Sequence, residues 1–153
     1  MSHPITGEAR ERIIRQWIER NIGGTITMFR QQPRWRPTFF VDVERDGETL
    51  ELCVRGERSD TELTFSLDHE TRFHRVLQDQ GMPVAAVHGW IDELPASVQQ
   101  RMRGRPDFAG VDDGVRDRIV AQYVEALARV HTLALEPFAA AGIERAQRPE
   151  ESG

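Results

Sequence analysis

Asp46-Gly47 lies between two runs that read as strands, residues 38–45 before it and residues 48–55 after it. An Asp-Gly pair in that setting is the strongest short hairpin signal a sequence offers, because both positions tolerate the positive φ that matches the twist of the flanking strands. The chain is thereby committed to an antiparallel pair. Leu50, Leu52 and Val54 alternate with mostly polar neighbours, so one face of that pair turns toward a core. Residues 25–30 are β-branched and apolar and read as a further strand, reached through a loop at residues 31–37 that carries two prolines.

Helices flank this sheet. Ile13, Ile14, Trp17 and Ile18 recur at helical spacing within residues 8–20, with Thr6 or Gly7 at the cap and Asn21-Ile22-Gly23-Gly24 as the break. Ser66 caps a second helix running to Gln80, with Leu67, Phe73, Val76 and Leu77 as its buried stripe and Gly81 as its C-terminal cap. Residues 83–90 and 97–102 read as strands joined by an acidic loop at Asp92-Glu93. A turn-rich linker at residues 104–110 leads to a long helix at residues 115–133, capped by Asp112 or Asp113. Residues 56–64 read as a polar, mobile segment, and the polar tail after Ile143 as frayed. Short strands interrupted by single helices predict an α+β fold.

Charge narrows the function. With a net charge of −5 the chain is not expected to bind nucleic acid generally. All 20 basic residues are arginine, so a role usually given to lysine falls to a cation that grips phosphate bidentately and cannot act as a base. A single cysteine, Cys53, excludes an intrachain disulfide framework. No run approaches the roughly 18 apolar residues of a membrane span, and no apolar leader core follows Met1. A cytoplasmic location is the default expectation.

Five segments, in order, resemble the aminoglycoside phosphotransferase family, also called the phosphotransferase enzyme family. IGGTITMF is similar to its glycine pair and first strands, and LELCVRG ends in Arg55 where the family places a phosphate-contacting basic residue. LDHETRFHRVLQDQGMPVAAVHGW resembles the family's helix and next strand, with Glu70 at the position of the helix glutamate. RGRPDF looks like the linker after the hinge, and YVEALARVHTL with FAAAGI resembles the first large-lobe helix and its LAxxH signature. The resemblance implies a kinase-like small lobe: a roughly five-stranded antiparallel sheet, one packed helix and a long C-terminal helix. It also implies phosphoryl transfer from ATP or GTP, with Mg2+, to the hydroxyl of a small molecule. The implied division is an N-terminal helix (1–22), a nucleotide-binding lobe (23–103), a linker and long helix (104–143) and a disordered tail (144–153).

The departures matter as well. The family's catalytic loop, HGDxxxxN, and its metal-binding DxE or DWE segment both follow the LAxxH helix, and neither occurs there. The chain is therefore expected to be truncated before its catalytic loop and inactive alone, with no catalytic and no metal-ligating side chain of its own. Residues 31–37 also contain no glycine, so a glycine-rich phosphate cradle is missing from that hairpin.

The resemblance implies that Arg55 sits over the phosphates, aimed by Glu70; on spacing alone the two would form an ordinary surface ion pair or none. It places the hinge that offers backbone groups to a purine at Gln99, Gln100, Arg101 and Met102, which otherwise read simply as the last strand. Arg34-Trp35-Arg36 would close over a nucleotide, with Arg34 and Arg36 on phosphate, or stack on single-stranded nucleic acid, or form a hairpin tip whose tryptophan tucks into the sheet edge. Gly23-Gly24 would approach phosphate or merely turn the chain with positive φ. His131 reads as structural, and His69 and His74 are not at the i, i+4 spacing of a helical zinc pair.

Val115, Ile119, Val120, Tyr123, Val124, Leu127, Val130 and, further on, Leu133, Leu135 and Phe138 form an apolar face that a large lobe would cover. Alone, that face predicts self-association. The competing function is accordingly a non-catalytic, kinase-like dimerisation or interaction module.

Overall fold

The computed structural model describes residues 7–58, 65–105 and 107–143. Most of the segment expected to be mobile at residues 56–64, and the tail expected to be frayed beyond Ile143, lie outside the described residues. The chain divides into two compact units: residues 1–71 with 85–101, and residues 72–84 with 102–153.

The first unit is built on an antiparallel sheet of order β1-β2-β3-β5-β4, formed by β1 (Thr25–Gln32), β2 (Thr38–Arg45), β3 (Glu48–Gly56), β4 (Val87–Ile91) and β5 (Ala96–Gln100). The Asp46-Gly47 turn joins β2 to β3, with φ of 54° and 82° at its two residues, as the hairpin signal requires. Helix α1 (Gly7–Asn21) begins one residue earlier and ends one residue later than its periodicity indicates. Its Ile14 and Ile18 are fully buried in one cluster with Phe39, Val41, Val43, Leu52, Val54, Ile91, Ala96 and Val98. Trp17 packs beside them, close over Gly89 of β4. Only a residue without Cβ fits there, since one added to Gly89 would stand 2.5 Å from Trp17 Cη2.

Gly23 and Gly24 turn the chain from α1 into β1 with φ of 75° and 85°. Gly24 has a second constraint, since a Cβ there would sit 2.5 Å from the Glu44 carbonyl oxygen. The reading of this pair as a helix-to-strand turn describes its geometry.

Because α1 covers one face of the sheet, the alternation of β2 and β3 sends the polar set to the other. The register pairs Thr38 with Arg55, Phe40 with Cys53 and Asp42 with Glu51, and it continues into β5 with Cys53 opposite Gln99 and Arg55 opposite Ser97. These residues share the face opposite α1. Ser97 and Gln99 are buried there and bonded to each other, Gln99 Nε2 donating to Ser97 Oγ at 3.0 Å.

The last two strands differ in extent from expectation. Residues 83–86 are outside β4, whose register slips at His88 between Val87 and Gly89. β5 starts at Ala96 and stops at Gln100, so Met102 lies beyond it.

Helix α2 (Leu67–Asp79) starts with the His69 amide donating to Ser66 Oγ at 3.1 Å, the cap expected of Ser66. Leu67 and Val76 are buried, whereas Phe73 of the predicted stripe is exposed. Within the second unit the Phe73 ring meets that of Phe138, with centroids 5.0 Å apart. Phe138 belongs to a five-residue helix, α4 (Glu136–Ala140), that follows the long helix α3 (Asp113–Val130) and lies beyond the 115–133 span in which a helix was expected. Asp112 caps α3 by accepting from the amides of Gly114 and Val115. Arg72 donates to the carbonyl oxygens of Ala141 and Gly142, and the side-chain amide of Gln80 exchanges hydrogen bonds with both backbone groups of Ala134. No residue of α3 is buried.

Candidate functional site

The polar face of β3 carries two acceptor-rich clusters. The first gathers at the strand's C-terminal end. Arg55 is the penultimate residue of β3, and Glu70 lies one turn into α2. Arg55 Nη2 donates to Glu70 Oε2 at 3.3 Å. A strand end and the first turn of the following helix thus bring together two residues fifteen apart in sequence, the pairing expected from the resemblance. About a third of each side chain stays exposed, so this guanidinium is fixed at one corner and open to solvent.

Glu70 is also held from the other side. Arg36, the last of the Arg-Trp-Arg run, is 4% exposed. Its Nη2 donates to Glu70 Oε1 at 2.7 Å and its Nη1 to Glu57 Oε1 at 3.0 Å. Glu57 in turn accepts from two backbone amides, Arg58 at Oε1 (3.2 Å) and Leu67 at Oε2 (2.5 Å). A carboxylate on the first amide of α2 satisfies a donor the helix cannot and places negative charge at the positive end of the helix. Arg55, Glu70, Arg36 and Glu57 therefore alternate in charge along one chain of contacts, two cations with two carboxylates.

Sequence reasoning missed Glu57. It follows Arg55 by two residues, so it continues the same side of the strand, and that alternation was its one available signal. Arg36 was expected on phosphate. Its guanidinium is enclosed by carboxylates instead, and its carbonyl oxygen accepts from Thr38 Oγ1 at 3.0 Å.

Trp35 is 61% exposed and is not tucked into the sheet edge. The guanidinium carbons of Arg36 and Arg58 lie 4.8 and 5.1 Å from its ring centroid, a cation–π arrangement. Arg34 is exposed.

The second cluster surrounds Arg101, whose guanidinium meets Asp42 at 2.8 Å, pairs with Glu51 and lies 5.2 Å from the Phe40 ring centroid. Its backbone amide donates to the Glu51 carbonyl oxygen at 2.9 Å, and that of Gln100 to the Ala86 carbonyl oxygen at 2.7 Å. Two amides expected at the hinge are thus committed to the sheet. Met102 is exposed and falls in the other unit. Cys53 stands on the same face. Burial pushes its thiol pKa above the ordinary value, while Arg55, Arg34 and Arg101 pull it the other way. Among the described residues, no three His, Cys, Asp or Glu side chains converge to hold a metal ion, and no helix is long and apolar enough to cross a membrane.

A sequence profile of the phosphotransferase enzyme family matches residues 33–152, from the start of the Arg-Trp-Arg loop nearly to the end of the chain. The chain belongs to the phosphotransferase enzyme family. Searches among curated proteins and among solved structures returned no match. The matched span includes Arg36, Arg55, Glu57 and Glu70.

Proposed function

We propose that this chain supplies the phosphate-gripping part of the nucleotide site in a small-molecule kinase, one that uses ATP or GTP to phosphorylate a hydroxyl. The observation that carries the reading is the Arg55–Glu70 pair: a cation at a strand end, anchored by a helix carboxylate at 3.3 Å, with a third of its side chain open. Phosphate needs charge held at a fixed place. Arginine provides it with a donor fork suited to two oxygens at once and stays charged at every physiological pH. Glu70 fixes the guanidinium without enclosing it. A nucleotide phosphate therefore fits Arg55.

The other positions contribute less directly. Arg34 stands exposed on the loop that precedes β2 and would add charge beside the phosphates. The amides of Gln100 and Arg101 are committed to the sheet and the Arg101 guanidinium to Asp42 and Glu51, so the reading assigns these two residues no direct contact with a purine. The reading assigns magnesium no ligand among the described residues. Acceptor binding and the transfer step itself belong, in this reading, to residues beyond those described.

Calorimetry with ATP and with GTP tests the proposal. Binding is expected, and Arg55→Ala should weaken it about tenfold or more, the value of a charge-assisted hydrogen bond to phosphate. Unchanged affinity in that variant would remove Arg55 from the site.

One observation favours a second reading, a non-catalytic module that associates with itself. Tyr123, Val124, Val120 and Leu127 are all exposed on α3, Tyr123 at 66%. Light scattering over a concentration series separates the two readings: a dimer that binds no nucleotide supports the module, whereas a nucleotide-binding monomer excludes it.

A further inference from the structure

We propose that Arg36 is a positioning residue for the nucleotide site, acting on Arg55 through the carboxylate they share. The proposal rests on the function assigned to Arg55 above and deepens it.

Glu70 has two oxygens, and each takes a different cation. Arg36 holds Oε1 at 2.7 Å, and Arg55 reaches Oε2 at 3.3 Å. The shorter contact comes from the more buried partner, whose side chain is 5% exposed against 33% for Arg55. At this burial Arg36 has no surface to offer a phosphate. Its neighbours account for its place: Glu57 takes the other arm of the fork, Trp35 covers the guanidinium, and Thr38 fixes the backbone at the same residue. Glu57 also accepts from the first amide of α2, which ties the helix carrying Glu70 to the strand carrying Arg55.

Two effects on Arg55 follow. First, Glu70 is denied rotation, because one oxygen is anchored to a nearly buried cation that is itself anchored to Glu57. Second, Arg55 is denied a bidentate grip. An arginine and a carboxylate left to themselves close into a two-bond fork. With Oε1 occupied, Arg55 keeps a single contact and the rest of its donors remain for a ligand. Removing Arg36 would let Arg55 close on both oxygens of Glu70 and withdraw from phosphate.

The test reads Arg55 itself. In the full chain labelled with 15N-arginine, the Arg55 side-chain resonance is assigned by its disappearance in Arg55→Gln. Arg36→Gln is expected to shift that resonance and to lower ATP affinity about tenfold, leaving adenosine affinity unchanged because adenosine has no phosphate. Arg36→Lys, which can still occupy Oε1, should recover part of the ATP affinity.

A purely structural role predicts equal losses for ATP and adenosine and no rescue by lysine, and that result would overturn the proposal. So would an unmoved Arg55 resonance in a folded Arg36→Gln chain. If Arg36→Gln does not fold, Arg36→Met, which keeps a long side chain but cannot donate to Oε1 of Glu70, is read in the same way. If the unmodified chain binds no ATP, the assigned function fails, and the Arg55 resonance still decides whether Arg36 positions it.

Discussion

Arg36 donates to Glu70 across 2.7 Å from a guanidinium that is 5% exposed, although the two residues are 34 apart in sequence. A contact of that kind contributes to stability mainly through what its loss leaves behind. Truncating one partner of a buried ion pair strands the other charge, at a cost of about 3–5 kcal/mol when both are fully buried. Glu57 and Glu70 retain about a third of their exposure, which discounts that cost. Arg36→Ala should therefore destabilise the chain by about 2–3 kcal/mol, read as a lower urea midpoint. A loss under about 0.5 kcal/mol would place the network among ordinary surface pairs.

Gly89→Ala should destabilise the first unit although it adds one methyl group. The new Cβ would stand 2.5 Å from Trp17 Cη2, and overpacking of this kind costs about 1–3 kcal/mol. Trp17→Phe, introduced with it, should return part of the loss by vacating the space. Additive losses in that double variant would show that the helix and β4 do not compete for the site.

Cys53 should react slowly with iodoacetamide near neutral pH, and its rate should inflect above the ordinary thiol pKa, because burial opposes the thiolate. Arg55→Gln removes one of the cations that lower this pKa, so the inflection should move higher still. The linked effect on stability has a definite sign. The unfolded thiol ionises first, so the contribution of Cys53 is present below the unfolded thiol's pKa and is lost as pH rises through the folded one. An inflection below the ordinary value would reverse the balance between burial and the three arginines.

Asp112→Ala should fray the start of α3. The carboxylate accepts from the amides of Gly114 and Val115 at 2.9 and 3.3 Å, and losing such a cap costs about 1 kcal/mol. Circular dichroism should show reduced helix content and a lower melting temperature, with Asp112→Ser close to the original chain.

Local signals carried much of the fold. Asp46-Gly47 located the β2–β3 hairpin because its turn chemistry acts over adjacent residues, and Ser66 and Gly81 marked the ends of α2 for the same reason. Phe73 was misread as core because a helical stripe does not reveal which of its residues meets a partner far along the chain, here Phe138. The short helix α4 carries too few residues for a periodic signal. The site was legible only in outline. Arg55 and Glu70 could be paired through the family resemblance, but Arg36 looked like a free cation on a loop. Its burial depends on two carboxylates 21 and 34 residues away, and Glu57 acquires its importance only once α2 presents an amide to it. Tertiary contacts of that range leave no pattern in a single sequence.

Glu57 has one further consequence. By accepting from the Leu67 amide, it pins both ends of the stretch between β3 and α2, so the distance from Arg55 to Glu70 does not depend on how much chain lies between. The charge ladder of Arg55, Glu70, Arg36 and Glu57, rather than the connecting chain, therefore sets the separation of the strand end from the first turn of α2.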